Sequence, residues 1–170
     1  PALVAALLEA NLSILYADAD VAFLRDPWPH LTSYENCAVA LQPNRHDEKD
    51  VLGAIVELDR RPGNPRPRQR YYGDVGCSGL AYFPSGRAAR RLAAFWAAAA
   101  SDDSCGGDQA AFESALAFLA YADEKFEVSA LSLALFPNGM ALRTLHGAPA
   151  PEAGAPFGVP PGVVAFHANY

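Results

Sequence analysis

Apolar residues at Leu3, Val4, Leu7 and Leu8 recur at helical spacing, and Asn11 follows where a left-handed stop is expected, so the chain is predicted to open with a helix. Leu12, Ile14, Leu15 and Tyr16 then form a run without polar alternation. Such a run predicts a strand buried on both faces, the kind found in parallel sheets covered by helices. It ends at Asp18-Ala19-Asp20, and Arg25-Asp26-Pro27-Trp28-Pro29 halts regular structure soon afterwards. A short strand is expected at 38–41. A second follows at Ser78-Gly79-Leu80-Ala81-Tyr82-Phe83, with a glycine where backbone or ligand approaches closely. Ser85 is predicted to cap a helix whose apolar stripe is Leu92, Phe95 and Trp96. Beyond a polar, glycine-rich turn at 101–107, Asp108 starts another helix carrying Phe112, Leu116 and Leu119. Phe136-Pro137-Asn138-Gly139 reads as a turn, 147–161 as a loose segment, and 163–166 as a last strand running into His167.

Helices alternating with short strands over 170 residues predict a single α/β domain with a sizeable core. The opening in mid-pattern, without an initiator Met, suggests a fragment or a processed chain. No run of about 18 apolar residues is present, and no basic segment leads into a hydrophobic one, so neither a membrane span nor a signal peptide is predicted. A net charge of −6 argues against general nucleic-acid binding. A polyanionic ligand would need a local remedy such as a metal ion. Cys37, Cys77 and Cys105 show no CxxC spacing and are odd in number, which indicates neither a zinc site nor a complete disulfide framework.

The candidate chemistry centres on Asp18 and Asp20. Side chains alternate along a strand, so both carboxylates are expected on one side beyond the strand's carboxyl end, where open α/β sheets place their ligands. Two hard oxygen ligands suit Mn²⁺ or Mg²⁺. The plain alternative is that the pair ends a strand and caps a turn. Asp108 can likewise serve only as a helix cap. The stretch from 60 to 70 holds five arginines among prolines and reads as a solvated insertion, with a phosphate or acceptor clamp as the other reading.

Taken in order, the motifs resemble the nucleotide-diphospho-sugar transferase family that includes plant rhamnogalacturonan xylosyltransferases and extensin arabinosyltransferases. They are Asp18-Ala19-Asp20 with Phe23-Leu24-Arg25-Asp26-Pro27; Cys77-Ser78-Gly79 with Tyr82-Phe83; Asp108-Gln109 with Phe112; Leu135-Phe136-Pro137-Asn138-Gly139; and His167-Ala168-Asn169. The resemblance implies a GT-A-like fold, a mixed and mostly parallel sheet flanked by helices. It also implies a UDP-sugar donor, a glycan or glycoprotein acceptor, transfer with retention of configuration, and residence in the Golgi lumen. It assigns Asp18, Asp20 and His167 to the metal, Asp18, Asp20, Ser78 and Gly79 to the donor, and Asp108 and Gln109 to sugar orientation and oxocarbenium stabilisation. The family's first, nucleotide-binding strands are expected upstream of Pro1, and Cys77 stands where such sequences usually have Asn. Two rival readings are a non-catalytic GT-A-like binding domain and a haloacid-dehalogenase-like phosphohydrolase. The latter would use Asp18 as nucleophile and Asp20 as acid/base, with Asp102-Asp103 as its later acidic pair.

Overall fold

The computed structural model describes residues 1–44, 76–102, 106–122, 126–146 and 160–168. The segment 51–58, whose sequence pattern suits a helical turn, the arginine-proline stretch at 60–70, Asp103, Cys105, Asn169 and most of the loose segment at 147–161 lie outside the described residues.

Helix α1 (Ala2–Glu9) buries Val4 and Leu8 and stops as its sequence directs. Asn11 takes φ 62°, its N–H reaches the Leu8 carbonyl, and the N–H of Leu12 reaches the Leu7 carbonyl. This pair of bonds is the Schellman pattern, with Asn as the residue that best tolerates the left-handed conformation after Gly. The chain turns back into β1 (Ile14–Ala17). Leu12 stays half-exposed, so the strand starts two residues later than its apolar run suggests.

Strands β3 (Val39–Gln42), β4 (Cys77–Phe83) and β5 (Val128–Ala130) complete a sheet of order β1-β4-β3-β5. The sheet is mixed, as expected, but among the described strands its ladders are mostly antiparallel, where mostly parallel ones were expected. Strand β4 runs antiparallel to both β1 and β3, while β3 and β5 are parallel. Burial on both faces belongs to β3 and β4, whereas β1 is half-buried along its length. Val39, Leu41, Ala81 and Phe83 face helices α3 (Arg87–Ala100) and α4 (Asp108–Ala122), packing on Leu92, Trp96, Phe112 and Leu119. Ala40, Leu80 and Tyr82 face the other way, onto Leu31, Leu131, Phe136 and Val164. Period-two alternation thus gives one sheet two cores.

Three local expectations are revised. Helix α3 is preceded by extended Gly86 with no side-chain cap, and Ser85 instead donates its N–H to the Ser13 hydroxyl. Phe95 leaves the core to pack against Phe118 with the rings tilted at 36° and their centroids 4.8 Å apart, both side chains exposed. Pro27 and Pro29 start a helical turn, α2 (Trp28–Leu31), because a helix's first turn needs no backbone donor there; the Asp26 carboxylate accepts the Trp28 N–H.

A second, two-stranded sheet pairs β2 (Val21–Phe23) with β6 (Ala165–His167) in antiparallel register, Val21 opposite His167. The Phe136-to-Gly139 turn leads into α5 (Gly139–His146), where the Asn138 side chain accepts the Ala141 N–H at 2.7 Å as an N-cap. Among the described residues, no helix is long and apolar enough to cross a membrane.

Candidate metal centre

Asp18, Ala19 and Asp20 lie between β1 and β2, and the Val21 N–H closes a turn onto the Asp18 carbonyl at 3.1 Å. Turn closure, not strand alternation, brings the carboxylates together. The Asp18 N–H is held by the Gly79 carbonyl at 2.8 Å, and the Asp20 carbonyl accepts the Ala168 N–H at 3.1 Å. The β2–β6 ladder then carries His167 across nearly the whole sequence to the same place. His167 Nε2 lies 3.1 Å from Asp20 Oδ1, and one ligand atom from each of Asp18, Asp20 and His167 falls within 4.8 Å of the others.

The carboxylates are exposed and the imidazole is 3% exposed, so the donor set is a rigid buried nitrogen facing two solvent-side oxygens. Adjacent ligands at ~2.1 Å from an octahedral Mg²⁺-sized ion sit about 3 Å apart, and the His167–Asp20 edge meets that requirement. Carboxylates with one imidazole suit Mn²⁺ as well as Mg²⁺. The residues fit a hard divalent cation.

Gly79 makes this convergence possible. A Cβ there would lie 2.4 Å from His167 Cε1 and 2.6 Å from Asp18 Oδ2, well inside contact distance. On the other side, Tyr16 packs edge-on against Trp96. Burial raises the pKa of its phenol, and the charges of Asp18 and Asp108 raise it further, with Asp18 also accepting its hydrogen bond. Asp108 is therefore near enough to share Tyr16's electrostatic surroundings with Asp18. It is exposed in the first turn of α4, and its carbonyl accepts the Trp96 indole N–H at 2.9 Å.

Gln109 braces the start of β4. Its Oε1 accepts the Ser78 N–H at 2.7 Å, and its Nε2 donates to the Gly76 carbonyl and to Glu113 Oε1. Both amide hydrogens are committed within the protein. Ser78 is buried and its side chain projects to the face opposite Gly79, so of the two donor-site candidates Gly79 is the one at the cluster.

Behind His167, the buried side chain of Gln42 places Oε1 3.0 Å from Nδ1. Cys77 Sγ is 3.6 Å from the same nitrogen and accepts the Gly79 N–H. Burial pushes the Cys77 thiol up and the nearby Asp18 and Asp20 charges add to this, against lowering hydrogen bonds from Gly79 and Leu80 N–H groups. The Cys37 thiol is likewise raised, mainly by burial. Asn138 donates to the Pro43 carbonyl, and the Pro137 carbonyl accepts the His167 N–H. Sequence reasoning overlooked Gln42 and Tyr16: each ends an apolar run, and nothing local marks either as part of a site.

Fold and site together define a GT-A-like α/β domain with a candidate divalent-cation site. Residues 1–159 match the family model described as nucleotide-diphospho-sugar transferase, and the chain belongs to that family. Membership implies a sugar-nucleotide donor and an acceptor, and it displaces the phosphohydrolase reading. No curated protein and no solved structure matches the chain. His167 lies beyond the matched segment, so its place beside Asp18 and Asp20 is a result of the fold.

Proposed function

We propose that the protein is a metal-dependent retaining glycosyltransferase that moves a sugar from a UDP-sugar to a glycan or glycoprotein acceptor in the Golgi lumen. The observation that carries this reading is the meeting of Asp18, Asp20 and His167 in a chain of the nucleotide-diphospho-sugar transferase family. Donor base, retention, acceptor class and compartment rest on the motif resemblance.

In this reading Asp18 and Asp20 supply hard oxygens and His167 a nitrogen held at a set angle by β6. Together they would hold Mn²⁺ or Mg²⁺, which would supply Lewis acidity for the diphosphate leaving group. The exposed Asp108 carboxylate stabilises the positive charge that grows on the sugar ring. Gln109 keeps Gly76, Cys77 and Ser78 in place beneath the donor, and the Gly79 carbonyl fixes the Asp18 backbone.

The test is Mn²⁺-dependent UDP release from a panel of UDP-sugars, with and without glycan acceptors, using the protein as its gene encodes it. Release that needs both acceptor and metal, disappears in Asp20→Ala and gives a product of retained anomeric configuration is the expected result. A second reading, a GT-A-like domain that binds but does not transfer, is favoured by Cys77 standing beside His167 where the family pattern has an amide. Mn²⁺-linked UDP binding without turnover of any donor would select it. Unchanged Mn²⁺ affinity in a folded Asp20→Ala would sink the metal assignment itself.

A further inference from the structure

Gln42 is the last residue of β3, is fully buried, and stands where the β3–β4 register shifts. A buried amide requires partners for both of its ends. Nε2 donates to the Phe136 carbonyl at 3.0 Å. Because a carbonyl only accepts, the nitrogen end must face Phe136 and the oxygen end must face His167 Nδ1. An amide oxygen only accepts in its turn, so Nδ1 carries the hydrogen. The Cys77 sulfur near the same nitrogen can donate or accept and suits either tautomer; Gln42 makes the choice.

The far edge of the ring feels the consequence. With its hydrogen on Nδ1, neutral His167 turns the Nε2 lone pair toward Asp20 Oδ1 at 3.1 Å. Two acceptors at that distance need a hydrogen on Nε2 or a bound cation between them, and in the neutral Nδ1–H ring only the cation is left.

We infer that Gln42 is a positioning residue that fixes His167 as the Nδ1–H tautomer and thereby dedicates Nε2 to a divalent cation shared with Asp18 and Asp20. The inference rests on the metal reading above. The arrangement follows the general rule that a metal-bound histidine donates its other ring N–H to an oxygen that fixes tautomer and orientation. The Phe136-Pro137 turn acts twice: the Phe136 carbonyl orients Gln42, and the next carbonyl, of Pro137, holds the His167 backbone N–H at 3.2 Å.

The experiment combines nitrogen NMR of the histidine rings, in metal-free and Mg²⁺-loaded protein, with direct Mn²⁺ titration. It is applied to wild type, Gln42→Met and Gln42→Glu. Neutral His167 in wild type is expected to carry its hydrogen on Nδ1 in both states. Gln42→Met keeps the bulk but removes the acceptor, so the hydrogen moves to Nε2, where it donates to Asp20, and Mn²⁺ affinity falls about 10- to 100-fold. Gln42→Glu again offers Nδ1 an acceptor and restores the wild-type tautomer, although its second oxygen opposes the Phe136 carbonyl. An Nε2–H tautomer in wild type overturns the inference, and this measurement decides even if the variants fail to fold. A folded Gln42→Met that retains Nδ1–H, or that binds Mn²⁺ as wild type does, overturns it equally. An Nδ1–H wild type that binds no Mn²⁺ refutes the metal reading and leaves the hold of Gln42 on the ring standing, so the two failures are distinguishable.

Discussion

At position 79 the space that a side chain would occupy is taken by His167 and Asp18. Gly79→Ala would place a methyl 2.4 Å from one and 2.6 Å from the other. Both neighbours are tethered, His167 through β6 and Asp18 through its own N–H to the Gly79 carbonyl, so neither gives way freely. We expect the substitution to cost about 1–3 kcal/mol by overpacking and to weaken Mn²⁺ binding, as read by denaturant unfolding and metal titration; an unaltered site would show neither. Tyr16 makes a second prediction, in alkaline solution. Its folded pKa is raised, by burial first and then by Asp18 and Asp108. Below the unfolded value of 10.0 its contribution to stability is complete, and as pH rises through the folded pKa that contribution is lost. Tyr16→Phe is expected to flatten this alkaline loss in unfolding experiments, and saturating Mg²⁺ to lower the phenol's pKa in an ultraviolet titration by neutralising Asp18. At this scale the Asp18–Asp20 pair was visible as two acids ending an apolar run. Gln42 was not, because only the folded chain shows an amide trapped between a carbonyl and an imidazole.

Elements bring these residues together, and the turn before α5 is the one on which the site leans most. Asn138 is buried, donates to the Pro43 carbonyl just past β3, and caps Ala141. It therefore joins the end of β3 to the turn that carries the backbone of His167. Asn138→Ala leaves the Pro43 carbonyl and the Ala141 N–H without these partners, a cost of about 1–3 kcal/mol. Asn138→Asp keeps the cap but turns a carboxylate oxygen toward a carbonyl, so it recovers only part of the loss. Thermal unfolding of both variants checks the order, and equal losses would show that the cap contributes nothing. Most of the regular elements were legible from period and punctuation, because Leu3-to-Leu8 spacing, the Asn11 stop and the Phe112-Leu116-Leu119 stripe are local signals. The partners of β1 were not legible. Its apolar run suggested a parallel array, whereas pairing with β4 is antiparallel and was settled by residues 63 to 69 positions away, which no local period encodes. Strand β2 and helix α5 were missed for a related reason: three residues paired with a distant strand, and a helix announced by a turn, leave little periodic trace.

Across the whole molecule, the candidate centre joins the two sheets, since β1 belongs to one, β6 to the other, and the Asp18-to-Val21 turn passes between them. The resemblance had supplied His167 as a third ligand, but only the β2–β6 ladder explains how a residue from the far end of the chain reaches a turn near its start. A cation shared by Asp18, Asp20 and His167 would cross-link these segments in the folded state, and the unfolded chain, which scatters them, would bind it poorly. Folding and binding are then linked by mass action. At a free Mn²⁺ concentration about 100 times Kd, the folded state gains ~2.7 kcal/mol. For a chain of this size that corresponds to a rise in Tm of roughly 5–10 °C. The chain's net charge of −6 favours any divalent cation weakly, so the control must be specific. Mn²⁺ is expected to raise Tm in wild type, EDTA to reverse the rise, and Asp20→Ala to remove it while keeping a cooperative transition. His167→Ala should lower the rise without abolishing it, because two carboxylates remain. Ca²⁺, which accepts six to eight oxygen ligands in looser geometry, should stabilise less than Mn²⁺ if the buried nitrogen is a ligand. Equal stabilisation by Ca²⁺ and Mn²⁺, unchanged in His167→Ala, would mean that the exposed carboxylates bind cations without the imidazole and that the two sheets are not joined through the metal.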